Sequence, residues 1–252
     1  MKKINLVLLM LLTFVFIVPS PVKAQDDKNM FNHVSLGLST GTDGLIGFNA
    51  AVPIGNYVQM RVGYSFMPVF KYKTDVTVKN NNKPDSRTDI EGKLHMGDFS
   101  WLFDIYPSKN SSFHFTAGAY IGKSKVVTVR NDGPIGGLDE SDYGYSGIEI
   151  GDYLIKTDLE GNASASIKVN SFKPYLGVGF GRAVPKGRVG VMCDLGVQFW
   201  GKPGVYAYDW ETNTDVKVTS EDVGNKDGGA IKTISKISVF PVISLKVFGR
   251  IL

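Results

Sequence analysis

Six charged residues share one parity in this 252-residue chain. Arg61, Lys246 and Arg250 carry positive charge and Asp98, Asp104 and Asp194 negative charge, and each falls on the smaller, more polar face of an alternating stretch. Three charges of each sign in one narrow interior point to ion pairing, because an unpaired ion away from water is expensive. Two chemistries fit: a gate or a path for protons or ions, and a packed polar plug that conducts nothing. An eight-stranded barrel leaves an interior just wide enough for side chains, which favours the plug.

The other reactive residue types form no constellation. His33, His95 and His114 are too scattered for a metal site or a catalytic dyad; His114 has the inward parity and reads as a hydrogen-bonding core residue. Asp132, Asp139, Glu140 and Asp142 do not match the spacing of a calcium loop and read as a solvated surface segment. The glycine-rich run 177–181 resembles a phosphate loop, but it lies in a period-2 stretch with no helix after it. Cys193 is the only cysteine, which excludes an internal disulfide framework and a cysteine-rich zinc site; it reads as lipid-facing or buried, and inert. No cofactor and no metal are expected, and no enzyme.

The elements that must carry these residues alternate almost everywhere. In 57–66, Val58, Met60, Val62, Tyr64 and Phe66 oppose Tyr57, Gln59, Arg61, Gly63 and Ser65. A β-strand sends successive side chains to opposite faces, so one face is bulky and apolar and the other small or polar. The same division recurs in 98–106, 113–122, 174–181, 188–200 and 242–252. A soluble sandwich would carry Lys, Glu and Thr in quantity on the second face. Here that face is rich in glycine and aromatics, which suits the lumen of a small barrel whose bulky face meets lipid.

Strands are expected at 33–40, 44–53, 57–78, 89–106, 112–130, 163–183, 188–208 and 231–251. Short connections at 54–56, 107–112 and 184–187 fall on one side, while 80–88, 131–162 and 209–229 form long polar segments on the other. The fold class is therefore all-β: an antiparallel up-and-down transmembrane β-barrel of eight strands, or ten if 131–162 hides two more. Trp101, Tyr106, Phe113, Trp200 and Tyr206 lie on or near strand ends in this register, some in an interfacial girdle, with Trp200 pointing inward.

The N-terminus reads as a secretory signal. Lys2 and Lys3 precede an apolar run over 4–18, and Val22-Lys23-Ala24 supplies a cleavage site, leaving residues 25–252 as one barrel domain. Cleavage removes three of the 28 Lys and Arg (Lys2, Lys3 and Lys23), so 25 face 24 Asp and Glu and no electrostatic case for nucleic acid survives.

The stretches 38–48 (LSTGTDGLIGF), 112–120 (SFHFTAGAY), 173–182 (KPYLGVGFGR), 193–203 (CDLGVQFWGKP) and 241–251 (PVISLKVFGRI) are similar to small outer-membrane β-barrel proteins, loosely those of the OmpW-like and OmpA-type kind. The resemblance implies an outer-membrane location in a Gram-negative bacterium, contact with outer-membrane lipid and insertion by the barrel-assembly machinery. Such barrels usually end in an aromatic residue, whereas this sequence ends Arg250-Ile251-Leu252. The expected function is a structural role or porin-like passage of small or hydrophobic molecules, with a small-molecule ligand left open. The competing readings are a membrane-barrel enzyme acting on lipid or peptide and a soluble periplasmic binding barrel.

Overall fold

The computed structural model describes residues 33–251 apart from 69, 81, 82, 132, 134, 136–138, 146 and 151; the expected signal segment lies outside them. Eight strands close a barrel: β1 (Ser35–Gly41), β2 (Gly44–Pro53), β3 (Val58–Phe66), β6 (Gly97–Ile105), β7 (Phe113–Gly122), β12 (Phe172–Phe180), β13 (Val189–Phe199) and β16 (Val239–Arg250). Around the wall the order is β1-β16-β13-β12-β7-β6-β3-β2, every neighbour antiparallel. Pairing of Ser35 with Arg250 through Gly41 with Ser244 closes it, so no edge strand remains in the wall.

The expected division of faces holds. Outward residues such as Leu38 (61% exposed), Leu176 (55%) and Phe180 (65%) form an apolar belt, while inward Arg61, Asp104 and Asp194 are at most 1% exposed. A water-soluble barrel would have buried the first set and exposed the second; this arrangement is stable only with hydrocarbon outside. Phe113, Phe115 and Phe180 pack edge to face near the short-turn end, and Tyr64 stacks on Phe66 near the other, as interfacial girdles do. Trp101 instead sits outward in the middle of β6, Tyr106 is buried inside, and Tyr206 lies beyond the barrel. Cys193 faces outward, the lipid-facing one of its two expected placements.

Several expected strands are each two pieces. A six-stranded sheet, ordered β15-β14-β11-β8-β5-β4, continues the wall beyond the long-loop end. Its members are β4 (Phe70–Asn80), β5 (Lys83–Leu94), β8 (Lys125–Asn131), β11 (Ser164–Lys168), β14 (Gly204–Asp209) and β15 (Thr214–Val218). Breaks fall at Met67-Pro68 and near Gly201 and Pro203, where proline lacks an N–H and Gly201 takes a positive φ of 74°. Backbone bonds carry the ladder across the seam, for example Met67 N to Met96 O at 2.9 Å and His95 N to Val126 O at 2.8 Å.

The barrel has eight strands and not ten: the two strands within 131–162, β9 (Gly147–Ile150) and β10 (Tyr153–Lys156), pair only with each other. The expected strand at 231–251 also begins later, at Val239, because residues 224–234 form helix α1 (Gly224–Ile234). That helix holds Gly224, Gly228 and Gly229 and has no side-chain N-cap, so its intrinsic propensity is poor. Packing holds it: Val223 and Ile231 join Ile135, Ile155, Ala163, Ala207 and Val218 in an apolar core outside the membrane. Asn131 ties both ends of the 131–163 excursion, donating to Gly133 O and Gly161 O and accepting from Ala163 N.

Candidate functional site

The lumen is filled in layers. Nearest the short turns, the β12–β13 connection folds inward from Gly181, whose φ of 108° admits the reversal. Ala183 and Val184 from this turn pack on Ala51, Met192 and Phe248. Gln59 accepts from Val184 N at 3.0 Å and from the Tyr106 hydroxyl at 3.1 Å, fastening the turn to β3 and to the end of β6.

Above it lies an ionic layer. Arg61 on β3 crosses to the opposite wall, donating to Asp194 Oδ2 at 2.7 Å, and also donates to Asp104 Oδ1 at 3.0 Å. Lys246 Nζ donates to the same Asp194 oxygen at 2.7 Å, and His114 Nε2 lies 3.0 Å from its other oxygen. Thr116 donates to Asp104 at 2.8 Å. Alternation forces this convergence: Arg61, Asp104, His114, Asp194 and Lys246 all occupy inward parities of five strands.

A mostly apolar layer follows, built from Leu102, Tyr120, Tyr175 and Val242, with the two tyrosine rings edge to face at 5.4 Å. Toward the long-loop end Lys173 grips Asp98 with bonds of 2.7 and 2.8 Å, and Tyr120 donates to Asp43. Trp200 stacks on Phe240 at 4.4 Å over this layer.

Five of the six expected charges are thus in the lumen, though in two groups: Arg61, Asp104, Asp194 and Lys246 together, Asp98 apart. Arg250 is not among them. It has the inward parity, but it ends β16 at the rim and donates to Lys186 O at 3.0 Å. Lys173, the partner of Asp98, is absent from the expected set, because the alternating stretch 174–181 begins one residue after it, although the expected strand 163–183 includes it. His114 takes the core position expected of it. On the external excursion Asp139 precedes a 3-10 turn at Glu140–Asp142 that contains the other two acidic residues; Asp132 lies outside the described residues. Among the described residues no three of His, Cys, Asp and Glu are placed to hold a metal ion.

In the external sheet, burial disfavours ionised Asp215, but hydrogen bonds from Lys168 and Lys125 outweigh it and lower its pKa. Glu91 is lowered too, first by its hydrogen bond from Lys93. A carboxylate lowered by folding contributes stability above its unfolded pKa of about 4, and loses it as pH falls through the lower folded value. Acidification below about pH 4 is therefore expected to loosen β14 and β15 while the barrel stays closed. Hydrogen exchange should register this, and Asp215→Asn should flatten the response; unchanged protection of β15 down to about pH 3 would refute it.

A closed wall, an apolar belt and a side-chain-filled polar lumen define a transmembrane β-barrel. No protein-family model and no curated protein matches the sequence. Among solved structures, Acinetobacter baumannii CarO2 is similar over 86% of this chain and 98% of its own at 18% identity, with a TM-score of 0.48. CarO of the same organism is similar over 88% and 99% at 17% identity, TM-score 0.46. A major outer membrane protein from Thermus thermophilus is similar over 86% and 98% at 12% identity, TM-score 0.34.

Proposed function

We propose that this chain is an integral outer-membrane protein of structural type, inserted by the barrel-assembly machinery, whose barrel does not conduct and serves to hold the external sheet and its packed core at the cell surface. The observation that carries this reading is the ionic layer: Arg61 spans the lumen between Asp104 and Asp194, and all three side chains are buried. Passage of a solute would require breaking charge-assisted bonds of 2.7–3.0 Å in a low-dielectric interior. The inward turn, the apolar layer and the Lys173–Asp98 pair beneath the Trp200–Phe240 lid would also have to part.

Planar-bilayer recording and liposome swelling test this directly. The purified protein is expected to give no stable unit conductance and no swelling with small sugars or amino acids. Reproducible conductance steps from pure protein, abolished by heat denaturation, would make the barrel a channel and overturn the structural reading.

A further inference from the structure

The short turns do more than close the lumen. They line an open cleft of about 300 Å³ at the barrel mouth, with the buried Gln59 at its base. Lys109, Arg182, Lys186, Arg250 and His33 also line it, and among the described residues no Asp or Glu does. These residues come from the chain before β1, two different turns and the end of β16, so only the closed barrel assembles them.

The cations are held by neutral acceptors. Arg182 Nη1 donates to Lys109 O at 3.1 Å and Ser111 O at 3.0 Å, and its guanidinium lies 4.2 Å over the Tyr106 ring. Arg250 Nη1 donates to Lys186 O, and Lys186 Nζ to Asn110 Oδ1 at 2.7 Å. Among the described residues, none of Lys109, Arg182, Lys186 and Arg250 pairs with a carboxylate. The lumen follows the opposite rule: Lys173 and Lys246 each pair with a carboxylate and Arg61 with two.

We propose that this mouth pocket binds a phosphate-bearing anion. Four like charges around one cavity repel one another, and a multiply charged anion relieves that repulsion. Guanidinium forks match phosphate oxygens, and the lysines add point charges. The volume suits a phosphate or diphosphate group with its waters and not a whole lipid. The group can come from a soluble anion or from the head of an anionic lipid at the membrane face.

Calorimetric titration of pyrophosphate into the purified protein, in zwitterionic detergent at low salt, tests the site. One saturable event is expected, weakened at least tenfold by the R182Q/R250Q pair and strongly by added chloride. K186Q, a change at an exposed turn, should weaken it several-fold with the heat-modifiable gel shift unaltered, which separates binding from folding. No saturable binding, wild-type affinity in both variants, or equal affinity for citrate would overturn the assignment. Native mass spectrometry with phosphatidylglycerol separates the sources. Lipid retained by wild type and displaced by pyrophosphate marks a headgroup site; pyrophosphate binding without lipid retention marks a soluble ligand.

Discussion

Asp194→Ala is expected to cost the barrel roughly 3–5 kcal/mol, the largest loss from any single change in the lumen. Asp194 accepts from Arg61 and Lys246 and meets His114, so its removal strips a shared counter-ion from two buried cations. Arg61 keeps Asp104; Lys246 keeps only Ser244. Removing a cation is different. Lys246→Met leaves Asp194 with Arg61 and His114 and substitutes a chain of similar volume, so about 1–2 kcal/mol is expected. The double variant deletes one charge of each sign and should recover about 1–3 kcal/mol relative to additivity. Asp222→Ala, in the external region, removes bonds from the Thr219 amide and hydroxyl at an exposed site and should move the unfolding midpoint little. Urea titrations in detergent micelles, followed by tryptophan emission, compare the four. Equal midpoints for Asp194→Ala and Asp222→Ala would mean that the ionic layer is not what holds the lumen.

The faces of this barrel were legible from alternation alone, because parity is a local property of an extended chain. Arg61, Asp104, Asp194 and Lys246 could be assigned to the interior without knowing any partner. What parity does not encode is height. Arg250 has the inward parity of Lys246, but four residues further along β16 the strand has reached the mouth, where its charge belongs to the turns. Height also decides partners: Asp98 and Asp104 share a strand face, yet one meets Lys173 near the long loops and the other Arg61 near the short turns. The external region was legible least. Its strands continue the barrel strands in sequence, so the seam at Met67-Pro68 or Gly201–Pro203 reads as an irregularity within one long strand. The glycine-rich helix has no side-chain cap at Val223 and exists because Val223 and Ile231 find apolar partners contributed by β10, β14 and β15. Long-range packing of that kind overrides local propensity and leaves no mark on a single segment.

Gly179→Ala is expected to lower stability by roughly 2–4 kcal/mol, although it adds a single carbon. Gly179 on β12 lies between His114 on β7 and Asp194 on β13 in the strand register. Those two side chains belong to strands that are not neighbours, and their 3.0 Å contact passes over the missing side chain of β12. An added Cβ would stand 2.5 Å from His114 Nε2, nearer still to Asp194 Oδ1, and 2.7 Å from the Cys193 carbonyl oxygen. The first two neighbours can move only by giving up the bond between them; the third is backbone and cannot move without bending the wall. The glycines at 177 and 196 serve Tyr175 in the same manner, and Gly37 serves the Phe248 ring, so the glycine-rich face is the complement of the large inward side chains. Gly249→Ala is the control. It places the same carbon in the same barrel with nothing nearer than the Leu36 carbonyl oxygen at 3.9 Å, and should change the unfolding midpoint little. Because the crowding runs through His114, combining Gly179→Ala with His114→Ala should cost clearly less than the sum of the two. Strict additivity in urea titrations, or equal midpoints for the two glycine variants, would show that the space over Gly179 is not what allows the ionic layer to form.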